Sequence, residues 1–157
     1  HERTGNAGVC FCKRWLSQLK TLARSQPGSD GQPLMQDARF RDRIARVEIE
    51  LIALEITNMR VIAMEQERKA PGPEASMLKV KGVEIQQTLT ELMMLALGTQ
   101  ALPHQNAAMD AGYAGALAGP AAGVPLTGAY FNFRKASIYA GSDEIQRNII
   151  AKMMLGF

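Results

Sequence analysis

The feature that most limits what this chain can fold into is a long helical pattern in its second quarter. Phe40, Ile44, Val47, Leu51, Leu54 and Val61 follow a four-three rhythm, interrupted by Asn58. At 3.6 residues per turn, that rhythm brings the apolar side chains to one face of a helix. A second stripe, Ile49, Ile52, Ile56 and Met59, lies beside the first. Two stripes predict a wide buried face, as on a central bundle helix whose outer side also packs on another subunit. Asp37 is placed to cap the helix, and Ala70-Pro71-Gly72-Pro73 should stop it just after Lys69. Its expected length is roughly 45 Å at 1.5 Å per residue.

The rest of the chain supplies partners for that helix. Cys12, Trp15, Leu16, Leu19, Leu22 and Ala23 recur at helical spacing within a segment from about Gly5 to Ala23. A turn-rich stretch, Ser25 to Gly31, ends it. A third segment starts near Glu74, carries Leu78, Gly82, Ile85, Leu89 and Leu92 as its stripe, and fades at Gly98. Gly82 costs roughly 1 kcal/mol of helix propensity there but lets another element approach closely. From Pro103 to Gly128 the chain turns rich in Ala and Gly, with Pro120 and Pro125. This reads as an inserted loop, with a short helix near Met109. A fourth segment is expected over Ala129–Tyr139. A fifth opens at Asp143 and runs to Met154, with Ile145, Ile149 and Met153 on one face. Its acids, Asp143 and Glu144, sit in the first turn and Lys152 in the last, as the helix dipole prefers. No useful β-alternation appears. The expectation is one all-α, four-helix-bundle-like domain over residues 1–157, with antiparallel neighbours wherever connections are short.

Composition narrows the function. Of 157 residues, 46% are apolar, enough for a core, and nine are Met, which suits an adaptable core or cleft. The net charge of +3 is spread out, with no basic run and only three Tyr and one Trp, so nothing marks a nucleic-acid surface. Cys10 and Cys12 have the wrong spacing for a zinc pair and lack a second pair, so they are read as reduced and no metal is expected. No stretch is apolar enough to span a membrane. The chain opens at His1 inside a helical pattern, which suggests a piece or processed product of a longer protein.

The closing stretch carries a resemblance. Ser137-Ile138-Tyr139-Ala140-Gly141-Ser142-Asp143-Glu144-Ile145-Gln146-Arg147-Asn148-Ile149-Ile150-Ala151-Lys152 resembles the final motif of acyl-CoA dehydrogenases, roughly I-Y-x-G-[ST]-x-x-I-Q-x-x-I-I-A. Glu2-Arg3 resembles the E-R that opens the family's first C-terminal-domain helix, and Gly31-Gln32-Pro33-Leu34 its loop before the second. The resemblance covers nearly the whole chain except the Ala/Gly insertion. It implies the family's C-terminal helical domain, without the N-terminal helical and middle β domains, and an FAD-dependent oxidoreductase. In that chemistry a carboxylate removes the α-proton of an acyl-CoA thioester while the β-hydride passes to flavin. It also implies a self or homologous subunit in a dimer or tetramer, and electron-transferring flavoprotein as acceptor. The expected place is the bacterial cytoplasm, or the mitochondrial matrix in a eukaryote.

Residue by residue, the resemblance makes Glu2 the catalytic base. Many members carry a Glu between the motif's Tyr and Gly, where this chain has Ala140; other branches use the E-R glutamate. Taken alone, Glu2 would read as a first-turn acid beside Arg3; the resemblance is what makes it the base. Arg3 would meet the anionic end of the substrate or make a structural ion pair. Tyr139 would line the cleft or simply pack, and Gly141 would leave room for the thioester or flavin. Ser142 and Glu144 match positions that touch FAD, and Ser142 also suits a helix N-cap. Two positions depart from the family's pattern. Pro27 stands where an Arg reaches a neighbouring subunit's FAD pyrophosphate, and Leu95 where a Gln opens the Q-x-x-G-G loop. The competing expectation is a non-catalytic assembly domain that completes a partner's flavin site. By itself the chain is expected to bind FAD weakly and to lack activity.

Overall fold

A computed structural model describes residues 7–67 and 72–156, apart from the side chains of 65–67. Among the described residues there are five α-helices: α1 (Val9–Ser25), α2 (Ala38–Glu67), α3 (Glu74–Leu97), α4 (Val124–Arg134) and α5 (Asp143–Leu155). No strand occurs among the described residues; only an isolated bridge, Pro27 to Pro33, closes the turn between α1 and α2.

The expected stripes become the core. On α1 the buried residues are Cys12, Trp15, Leu16, Leu19, Leu22 and Ala23, the six the spacing singled out. Cys12 and Cys10 part company, one buried and one exposed, and burial pushes the Cys12 thiol up to about 12. On α2 the first stripe is buried throughout, from Phe40 to Val61. Asp37 caps α2, its Oδ1 accepting from the Phe40 amide at 2.7 Å. The expected end near Lys69 lies outside the described residues.

Cross-helix ion pairs give the directions. Lys13 meets Glu55 and Lys20 meets Glu48, so α1 and α2 are antiparallel. Arg43 meets Glu91 and Lys81 meets Glu50, so α2 and α3 are antiparallel too. These pairs are partly exposed and add little stability each; what they show is register.

Two expectations change. The second stripe of α2 is not buried in this chain: Ile49, Ile52, Ile56 and Met59 are all about half exposed or more. The central helix is instead α3, which touches α1, α2, α4 and α5. Its burial spreads beyond the apolar stripe to Ser76, Lys79, Gln86 and Thr90. Gly82 is where close approach is required: a Cβ there would fall 2.6 Å from the backbone carbonyl of Ala7. The second change is at α4, which begins at Val124 rather than Ala129. Pro125, read as a loop residue, sits in the first turn, where its missing N–H costs nothing. The helix gives way to a 3-10 turn, Lys135–Ser137, before Tyr139.

The insertion holds short 3-10 turns, Asn106–Met109 and Ala121–Gly123, and is mostly exposed. Gln105 closes it on itself: its Nε2 donates to the Ala118 carbonyl at 3.3 Å and its Oε1 accepts from the Ala118 amide at 2.9 Å.

Candidate functional site

The site expected from the closing motif falls on the reversal between α4 and α5. Ala140 and Gly141 are both left-handed there, with φ of 56° and 87°. Left-handed backbone is uncommon for a residue with a Cβ, so Ala140 needs its surroundings to hold it. Gln146 supplies part of that hold. It is buried, 2% exposed, and its Nε2 donates to the Ala140 carbonyl at 3.1 Å and reaches the Gly141 carbonyl at 3.5 Å. Its amide nitrogen also fills the space a Cβ on Gly141 would need, so that glycine is required twice over. The other amide atom, Gln146 Oε1, is buried with no partner among the described residues.

Below the reversal lies a buried ion pair. Lys79 Nζ stands 2.7 Å from Asp143 Oδ1, with side chains 3% and 12% exposed. The same ammonium reaches the Ser137 carbonyl at 3.4 Å. Removing either partner would leave a buried charge, which is far costlier than breaking a surface pair. Sequence reasoning passed over Lys79, Asp143 and Gln146 as site residues. A signal was present for Lys79, a cation beside Leu78 on the apolar face of α3.

Alongside the reversal is a cleft of about 230 Å³, lined by Phe11, Val83 and Phe133, by the polar Lys79 and Gln86, and by Gly8, Ala136, Tyr139 and Ala140. Phe133 is itself braced edge-on by Trp15, with centroids 4.7 Å apart. Arg134 ties α4 to α3 by donating to the Gln87 carbonyl at 2.8 Å and to Thr90 Oγ1 at 3.1 Å. Two separate parts of the chain therefore meet at one apolar cleft: the start of α1, represented by Gly8, and the closing motif, represented by Tyr139 and Ala140. Tyr139 is half exposed beside it rather than packed in the core. Glu2 and Arg3 lie outside the described residues.

The N-terminus of α5 has its own chemistry. Ser142 caps it, Oγ accepting from the Ile145 amide at 3.4 Å. Glu144 is drawn into the same turn. Its own backbone N–H, then the Ser142 hydroxyl, hold its carboxyl below the usual carboxylate range. A carboxylate already standing at these amides would repel a phosphate, whereas it would accept a hydrogen bond from a ligand hydroxyl. The turn therefore suits the hydroxyl-bearing part of a ligand better than its phosphates.

Pro27 and Leu95 are remote from this turn in the chain, on the α1–α2 connection and near the end of α3. Leu95 is half exposed. Among the described residues no cluster of His, Cys, Asp and Glu could hold a metal ion, and no helix is long and apolar enough to cross a membrane.

Comparison with known proteins adds the context. A family model described as the acyl-CoA dehydrogenase C-terminal domain matches residues 1–155. A search of curated proteins found no match. Among solved structures, the ChsE4-ChsE5 complex from Mycobacterium tuberculosis is 25% identical with a TM-score of 0.69, over 97% of this chain and 36% of that one. A glutaryl-coenzyme A dehydrogenase in complex with glutaryl-CoA is 21% identical with a TM-score of 0.73, over 99% and 35%. The electron transferring flavoprotein study of Acidaminococcus fermentans contains a chain 13% identical with a TM-score of 0.74, over 98% and 36%. The last two likenesses show the fold alone. This chain spans about a third of the length of these solved relatives.

Proposed function

The chain belongs to the acyl-CoA dehydrogenase family, and from that premise we propose that it is the C-terminal helical domain, residues 1–157, of a flavin-dependent enzyme that desaturates an acyl-CoA thioester. The observation that carries the reading is the convergence of Gly8 with Tyr139 and Ala140 on one cleft. Family members differ in whether the base lies in the closing motif or at the start of the first helix. In this chain the closing motif has Ala140 at the base position, which offers no carboxylate, and Ala140 shares the cleft with Gly8 at the start of α1. Glu2 is six residues before Gly8, a span the chain can cover with about 20 Å of extended backbone.

In this reading Glu2 accepts the α-proton on its carboxylate. An apolar wall such as Phe11, Val83 and Phe133 keeps water from the base and raises its affinity for that proton. When bound, FAD would supply the two-electron acceptor that α,β-desaturation of the thioester requires. Ser142 and Glu144 would hold hydroxyls of the flavin's sugar-alcohol or ribose portion, and Gly141 leaves the backbone room to approach it. Arg3 would meet the anionic coenzyme A end. The electrons would then pass to an electron-transferring flavoprotein.

A second reading rests on Pro27 and Leu95. Neither side chain can donate a hydrogen bond or a positive charge to a pyrophosphate, so the half-site this chain would offer a neighbour is depleted. A homologous but different subunit could bring an intact one. In either assembly, the second stripe of α2 is the surface we assign to a neighbouring subunit.

The test is an anaerobic titration of the purified flavin-loaded assembly with a panel of acyl-CoAs, repeated for Glu2→Gln. Bleaching of the wild type together with a variant that only forms a complex supports Glu2 as base. Equal bleaching of both removes Glu2 from that role. An assembly that carries flavin but never bleaches favours the non-catalytic domain. The 157-residue chain alone is expected to hold FAD weakly, and stoichiometric yellow flavin on it would refute that expectation.

A further inference from the structure

We propose that Lys79 is a positioning residue, gripping both ends of the 137–143 reversal so that Tyr139 and Ala140 stand at a fixed place beside the cleft. The proposal rests on the dehydrogenase reading for its catalytic consequence, though not for its geometry. Lys79 reaches across from α3 to the Asp143 carboxylate at the end of the reversal, 2.7 Å away, and to the Ser137 carbonyl at its start, 3.4 Å away. One ammonium has three N–H donors and carries no preferred plane, so it can hold two acceptors on separate strands of a turn. Gln146 meanwhile holds the apex at Ala140 and Gly141. The reversal is thus fixed at three points while its outward residues, Ile138, Tyr139 and Ala140, stay exposed.

Why use a buried lysine here? Stability alone would be served as well by an apolar pair, because desolvating two charges offsets most of their attraction. What an ion pair adds is directional: the turn cannot slide without separating charges in a low-dielectric setting. That matters because Ala140 is held left-handed, a conformation the chain would leave if released. Lys79 also lines the cleft itself, together with Tyr139 and Ala140, so its loss changes the wall that faces a bound acyl group. Loss of the grip should spoil the fit of that wall around the reacting carbons more than it weakens binding of the remote coenzyme A portion.

The experiment compares wild type, Lys79→Arg and the double variant Lys79→Met/Asp143→Leu in the flavin-loaded assembly. The double variant removes both charges and leaves neither buried alone, which keeps the fold. Two readouts are taken: amide exchange at Ile138 and Tyr139, whose N–H groups both bond the Lys135 carbonyl, and the anaerobic rate of flavin bleaching beside the affinity for acyl-CoA. The expected result for the double variant is a tenfold or greater rise in exchange confined to the reversal, with bleaching slowed about tenfold and affinity changed less than threefold. Lys79→Arg should recover most of both. Unchanged exchange in the double variant overturns the proposal. So does a uniform rise across α3 and α5, which would mark Lys79 as a general stabiliser. If the wild type itself never bleaches but exchange still responds at the reversal, the grip stands and the dehydrogenase reading falls.

Discussion

Helices α2 and α3 lie side by side and yet use their sequences in opposite ways. In α2, apolar residues outnumber what the chain can bury. One stripe enters the core, and a second, from Ile49 to Met59, faces outward. In α3, burial extends past the apolar stripe, so Lys79, Gln86 and Thr90 are enclosed along with Leu78, Ile85 and Leu89. An exposed apolar ridge reports something still to be covered. Enclosed polar groups report something to be held or done. The difference separates a helix with an uncovered apolar face from one that encloses polar groups beside the candidate cleft.

The sharpest way to break that contrast is to truncate matched residues on the two helices. Leu89→Ala on α3, where the side chain is 0% exposed, should cost about 2–5 kcal/mol in chemical denaturation. Gly82→Ala should be next. Its gain in helix propensity is outweighed by collision with the Ala7 backbone, leaving a net loss of about 1–3 kcal/mol. A neutral result at Gly82 would mean that α1 enters the bundle differently. Asp37→Ala removes the cap on α2 and should cost about 1 kcal/mol, while Asp37→Ser should recover most of it. Smallest for the chain itself is Ile52→Ala on the outward stripe, within about 0.5 kcal/mol. The same change should weaken subunit association, read by sedimentation at falling concentration. If Ile52→Ala destabilised the isolated chain as much as Leu89→Ala, the ridge would be core and the comparison would fail.

What was legible in the sequence follows from the same contrast. Periodicity found the six buried residues of α1 and the first stripe of α2, because apolar side chains at 3.6-residue spacing have one low-energy place to go. It misjudged α2 as the central helix, because a stripe buried within the chain and a stripe left on its surface look alike in one dimension. It underrated α3 for the converse reason. Lys79, Gln86 and Thr90 interrupt a hydrophobic pattern, and two of them meet partners far along the chain: Asp143 is 64 residues from Lys79 and Arg134 is 44 from Thr90. The start of α4 was hidden by Pro125, a breaker inside a helix but a good first-turn residue. At the candidate site, the resemblance of the closing motif pointed to Tyr139, Gly141, Ser142 and Glu144. It did not reveal that Glu144 folds back onto its own turn, since that depends on local hydrogen bonding rather than on residue type.

The measurement that bears most directly on the account is the visible spectrum of the purified, mass-determined assembly during anaerobic addition of acyl-CoA. The account predicts an oligomer carrying flavin whose visible band bleaches with at least one acyl-CoA. A monomer without a flavin band, or a flavin band indifferent to every acyl-CoA tried, would contradict it.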